Sequence, residues 1–87
     1  NEKTFTDLIK RISKTITFLK KINPKKMEGS ENMEITFSIR SNEFNFKSGK
    51  DYLTKWMTPH FFFHVTTAYD ILRSNGVNIG KRDYIKF

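Results

Sequence analysis

GKDYLTKWMTPHFFFHVTTAYDILRSNGVNIGKRDY, residues 49–84, is the stretch that decides the fold of this chain. Residues 50–57 read as a short helix with Ser48 or Gly49 near its start. Thr58-Pro59 reads as a restart, with threonine as N-cap and proline at the first helical position. A long helix then runs over 59–75, and Gly76 supplies the left-handed position that closes it. Stepping about 100° per residue gathers Phe61, Phe62, His64, Val65, Ala68, Tyr69, Ile71 and Leu72 on one broad apolar arc. Thr66, Asp70 and Arg73 take the opposite face. Phe63 falls toward that polar side, which marks it as a candidate interface residue. The tail, 77–87, reads as irregular.

Working backward, residues 5–22 form a second amphipathic helix. Phe5, Leu8, Ile9, Ile12, Ile16, Leu19 and Ile22 share one stripe. Thr4 or Thr6 can cap it, Asp7 suits its first turn, and Pro24 stops it. Phe18 lies off the stripe and is a second candidate interface residue. Residues 24–33 are polar and read as a loop. Alternation then sets in over 34–47: Ile35, Phe37 and Ile39 point one way, a polar turn follows, and Phe44 and Phe46 resume the pattern. Period-2 patterning around a short turn predicts a β-hairpin.

The chain has 87 residues, which bounds it to one domain, 1–87. A chain of this size buries only about 60% of the surface its unfolded form exposes. It has no cysteine, so disulfides and thiolate metal sites are excluded. No stretch approaches the roughly 18 apolar residues that cross a bilayer, and the charged start has no apolar signal region. No membrane role and a cytoplasmic location are therefore expected. The net charge is +7, yet the cations are dispersed. The one tight group, Lys20, Lys21, Lys25 and Lys26, sits where lysines complement a helix C-terminus. Nucleic-acid binding by net charge alone is the weakest of the functional readings.

The predicted fold class is thus α+β and mainly helical: two long helices, a short helix and a hairpin. Two helices and a hairpin do not enclose a core. An isolated hairpin is marginal in water, and each helix carries an apolar arc wide enough for more than one neighbour. A second copy, or further polypeptide, must cover those faces.

The run from Phe61 to Tyr69, continuing through Ile71-Leu72-Arg73, Asn75-Gly76-Val77 and Gly80-Lys81-Arg82-Asp83-Tyr84, resembles the domain of unknown function 1993 family. Residues 49–53 resemble that family's approach to its long helix. The family is similar to DinB proteins, which are four-helix bundles. The resemblance covers the chain from about Thr4 onward and corresponds to the C-terminal half of the family pattern. It implies half of a DinB-like bundle, completed by a second chain as a homodimer.

His60 and His64 stand four apart on one helix and so share a face. Such a pair is half of a zinc or nickel site. DinB-like proteins hold a divalent metal through three histidines, two of them on a late helix. The pair here resembles that late pair, although the family commonly has asparagine where His60 stands. The competing reading is a packed His64 and a partly exposed His60. Lys81 and Arg82, after Gly80, are candidate anion-binding residues without a phosphate-loop fingerprint. Thr66, Thr67 and Asp70 form no triad, since no base is poised beside a hydroxyl. Phe44, Phe46, Trp56, Phe61 and Phe62 could form a base-stacking platform, but their periodicity favours packing. The function implied is a non-enzymatic small-ligand or protein-interaction domain. The alternative is a metal-dependent thiol transferase or hydrolase using the histidine pair.

Overall fold

The computed structural model describes residues 1–86. Helix α1 spans Phe5–Lys20. Two 3₁₀ turns follow, Pro24–Met27 and Ser30–Asn32. Strands β1 (Ile35–Ile39) and β2 (Asn42–Phe46) form an antiparallel hairpin. Helix α2 (Gly49–Tyr52), a π-helical turn (Leu53–Met57) and α3 (Thr58–Ser74) come next, and a short α4 covers Lys81–Tyr84. The chain is mainly helical with one two-stranded hairpin, as the patterning predicts.

Thr4 starts α1, as one of the two expected caps. Its Oγ1 accepts the Asp7 N–H at 3.1 Å, and Asp7 Oδ2 accepts the N–H groups of Lys3 and Thr4 at 3.1 and 3.3 Å. This reciprocal pairing satisfies donors that a helix start leaves open. Backbone donation from Lys3, then the Thr4 hydroxyl, holds the Asp7 carboxyl below its ordinary range. Glu2 is lowered as well, by its hydrogen bond to Arg11 at 2.6 Å. A carboxyl lowered by folding contributes stability above its unfolded pKa and loses it as pH falls through the folded value. Helix content is therefore expected to hold from neutral pH down to about 4 and to fall below that. Asp7→Ala should lower helicity at pH 7 and shrink the acid-side loss, read by far-ultraviolet circular dichroism.

Two residues, Arg40 and Ser41, connect the strands, with Ile39 opposite Asn42 and Phe37 opposite Phe44. Arg40 takes a positive φ of 56°, the conformation that short hairpin turns demand and glycine prefers. On the polar face, Asn45 Nδ2 donates to Glu34 Oε1 and Thr36 Oγ1, each at 2.7 Å.

The expected break at Thr58-Pro59 does not occur. Thr58 is helical, with φ −66° and ψ −50°, and its N–H donates to the Leu53 carbonyl. The 49–74 stretch is one continuous helical rod. A proline inside a helix removes a donor and crowds the carbonyl four residues back, here Lys55. The wide turn over Leu53–Met57 opens that site, so the rod absorbs Pro59 instead of stopping. Sequence rules for helix starts cannot distinguish these outcomes, because proline near a first turn looks the same in both. The far end follows expectation: Gly76 has φ 87°, and the Val77 N–H reaches the Leu72 carbonyl at 3.1 Å. The tail is more ordered than predicted. Asp83 Oδ2 accepts the Gly80 N–H at 2.7 Å and opens α4, and Tyr84 packs edge-on against Tyr69 with ring centroids 5.2 Å apart.

The hairpin seats on the α2–π segment, and the Ser30–Asn32 turn lies against α2. Among the described residues, helix α1 packs closely on no other element. Among the described residues no side chain is buried. The accessible surface is 8333 Å², against about 5,400 Å² for a folded monomer of 10.3 kDa. The radius of gyration is 16.7 Å, where about 12 Å is usual for this length. No helix among the described residues is long and apolar enough to cross a membrane.

Candidate functional site

The face of the rod that meets the hairpin carries a run of rings. Trp56 packs on Phe37 and Phe44, with centroids 5.4 and 4.7 Å away. Tyr52 stands edge-on to Phe37 and Phe46 at 5.9 and 5.6 Å. One turn along, His60 stacks on Trp56 at 5.5 Å with planes 16° apart. One further turn along, His64 meets His60 edge-on at 4.7 Å, and Phe63 meets His64 at 5.4 Å. Trp56, His60 and His64 are spaced by four, so each ring lies over the turn before it. The hairpin fixes Trp56, Trp56 fixes the plane of His60, and His60 lies against His64.

Both imidazoles are exposed. Two neutral imidazoles on one face supply two of the four donors that a tetrahedral zinc takes. Among the described residues, no group of three histidine, cysteine or acidic side chains lies close enough to hold a metal. The pair by itself is half of a tetrahedral donor set.

Other candidates from the sequence are placed apart. Phe18 and Phe63 are about two-thirds exposed, at 66% and 67%, on different helices. Lys81 lines a shallow cleft of about 170 Å³ with Arg73, Asp70, Thr66, Tyr69 and Tyr84. Arg82 is exposed on α4 and does not line that cleft. Of the aromatics considered for base stacking, Phe44 and Phe46 each pack on Trp56, and all three are half-buried. Phe61 and Phe62 stay exposed and touch edge-on at 5.4 Å. Phe37 and Tyr52 belong to the cluster, although the sequence reading gave neither a role at the site. The four-residue step from Tyr52 to Trp56 to His60 is the signal that points to Tyr52.

Rod, hairpin and ring cluster define a mainly helical α+β domain with one antiparallel hairpin and an open apolar surface. The family model for the domain of unknown function DUF1993 matches residues 1–85, and the chain belongs to that family. No curated protein and no solved structure matches it.

Proposed function

We propose that this chain is a non-enzymatic interaction or small-ligand-binding domain that acts as a homodimer, two copies completing a DinB-like four-helix bundle. The observation that carries this reading is the open apolar surface. The α1 stripe is exposed, as is most of the α3 arc, with Val65 and Tyr69 half-buried, and the protomer shows roughly 2,900 Å² more surface than a folded chain of its mass. A standard interface takes about 800 Å² from each partner, and obligate homodimers take more. Soluble chains rarely leave large contiguous apolar patches uncovered. Ligands of helical bundles sit between facing helices, so the ligand surface forms when the copies meet. Light scattering is expected to give about twice the chain mass. A well-folded particle of 10.3 kDa overturns the reading.

The His60–His64 contact favours a second reading, a divalent-metal site shared between copies and supporting hydrolase or thiol-transferase chemistry. Two pairs brought together by a two-fold axis supply four imidazoles, enough for a tetrahedral zinc. Metal analysis of tag-free dimer is then expected to find about one zinc or nickel per dimer, lost in His64→Ala. Metal retained in that variant refutes the assignment.

A further inference from the structure

Asn75-Gly76, at the end of α3, is the one place in the chain where asparagine precedes glycine. We infer that this pair is a self-modification site: an asparagine deamidation that the cap of α3 holds closed and that, once it has run, frees residues 77–86 from α3. The inference is independent of the homodimer reading.

The chemistry needs only the chain and water. The Gly76 backbone nitrogen loses its proton to hydroxide and attacks Cγ of Asn75. The new nitrogen–carbon bond closes a five-membered succinimide. The bond from Cγ to Nδ2 breaks, and the side-chain nitrogen takes a proton from water and leaves as ammonia. Water then opens the ring at either carbonyl. One opening leaves aspartate at position 75. The other leaves isoaspartate, in which the main chain runs through the side-chain carbon and is one carbon longer. Glycine permits the attack because it has no Cβ to crowd its nitrogen. Every other asparagine is followed by a residue with a side chain, and Pro24, after Asn23, has no N–H to lose.

The folded cap ties down both reacting groups. The Gly76 N–H donates to the Arg73 carbonyl at 3.0 Å, and the Val77 N–H to the Leu72 carbonyl at 3.1 Å. These are the paired bonds that close a helix on a left-handed glycine. Asn75 Nδ2 donates to the Ile71 carbonyl at 2.7 Å, and the Asn75 N–H reaches the same carbonyl at 3.1 Å. The nucleophile is thus held by one carbonyl and the leaving group by another for as long as α3 keeps its last turn. Asn75 is exposed, so hydroxide and water reach it whenever that turn opens. Helix ends open at far lower cost than the whole fold. The rate then follows the population of the opened cap.

The product does not rebuild the cap. Loss of Nδ2 removes the donor to Ile71, and either product adds a negative charge at the negative end of the α3 dipole. Isoaspartate also moves the Gly76 and Val77 N–H groups out of step with the Arg73 and Leu72 carbonyls. Those bonds set the turn after which the chain comes back to α3. There Tyr84 packs edge-on against Tyr69 with centroids 5.2 Å apart, and Lys81 lines the cleft beside Arg73. Without the cap, α4 loses its fixed approach to that face.

The test incubates the full chain at one mildly alkaline pH, in native buffer and in guanidinium chloride, and follows conversion at Asn75 by peptide mass spectrometry. The native chain is expected to convert about tenfold more slowly than the unfolded chain, the factor being set by how rarely the cap opens. Equal rates overturn the lock. No conversion at Asn75 in the unfolded chain, or faster conversion at another asparagine, overturns the site. Val77→Pro removes the donor to Leu72 and leaves the reacting pair intact. It is expected to speed native conversion several-fold and to leave the unfolded rate unchanged. An unchanged native rate, with helicity retained by circular dichroism, also overturns the lock; if the variant loses helicity, the two rates of the parent chain decide. The converted chain, separated from the unconverted one, is then compared with it by hydrogen exchange. Residues 77–86 are expected to exchange several-fold faster after conversion, and equal exchange overturns their release. Asn75→Gln, whose longer side chain closes a ring far more slowly, should stay unconverted through the same incubation.

Discussion

Trp56→Ala is expected to detach the hairpin from the helical rod and to lower stability by about 3 kcal/mol. Trp56 is half-buried and reaches three hairpin rings, Phe37, Phe44 and Phe46, at 5.4, 4.7 and 6.2 Å. On its other side it stacks on His60. Truncating a large aromatic in such a cluster removes its apolar contacts and leaves a void that its neighbours fill only in part. The partial exposure of the ring sets the loss at the lower end of the usual range for tryptophan. A two-stranded hairpin has little stability of its own, so the strands should fray with the contact. Denaturant titration at fixed protein concentration measures the loss, and near-ultraviolet circular dichroism should lose the aromatic signal. Trp56→Phe should retain more than half of the stability, because it keeps a ring against Phe44. A Trp56→Ala variant with an unshifted midpoint would mean that the hairpin is held by its own register alone.

Gly49→Ala is expected to cost a similar amount, about 3 kcal/mol, for the opposite reason. A methyl group at Gly49 would overlap the carbonyl oxygen of Ser30, and would stand 2.8 Å from its carbon and 3.3 Å from Glu31 Cα. Those are backbone atoms, which cannot swing aside as a side chain does. The Ser30–Asn32 turn would have to lift from α2, and the first turn of the rod would move with it. Ser48 stands at the same junction, its Oγ accepting the Asp51 N–H at 3.1 Å, so a shift of the turn disturbs the cap too. Gly80→Ala is the control. That position has open space around it and no positive φ, so its substitution should leave the denaturation midpoint within about 0.5 kcal/mol of the parent. Equal midpoints for Gly49→Ala and the parent would show that the turn does not pack as closely as the geometry requires.

Local patterns made much of the secondary structure legible. The α1 stripe, the alternation around Arg40-Ser41 and the glycine stop at Gly76 each depend on residues within a few positions of one another. Patterning of that kind acts before any long-range contact forms. The misreadings share a different origin. Pro59 looks like a helix start, and only the π-helical turn at Leu53–Met57 shows how the rod runs through it. The tail looks irregular until Tyr84 is seen against Tyr69 and Asp83 on Gly80. Gly49 looks like an ordinary helix-start glycine, and only the position of Ser30 gives the reason for it.

The candidate site was legible in part. The spacing of His60 and His64 puts them on one face in any helix. That Trp56 stacks on His60, and that the hairpin sets the position of Trp56, required the fold.

The sequence by itself determined the helices, the hairpin and the family, because hydrophobic periodicity, caps and turn residues act over short stretches of chain. It also placed an apolar face on each of two helices. Only the tertiary structure decided that α1 packs closely on no other element among the described residues, that the hairpin uses the Trp56 side of the rod, and that Pro59 is absorbed instead of breaking it. These are outcomes of packing, in which the position of one backbone fixes the space left for another, and no local run of residues encodes that distance.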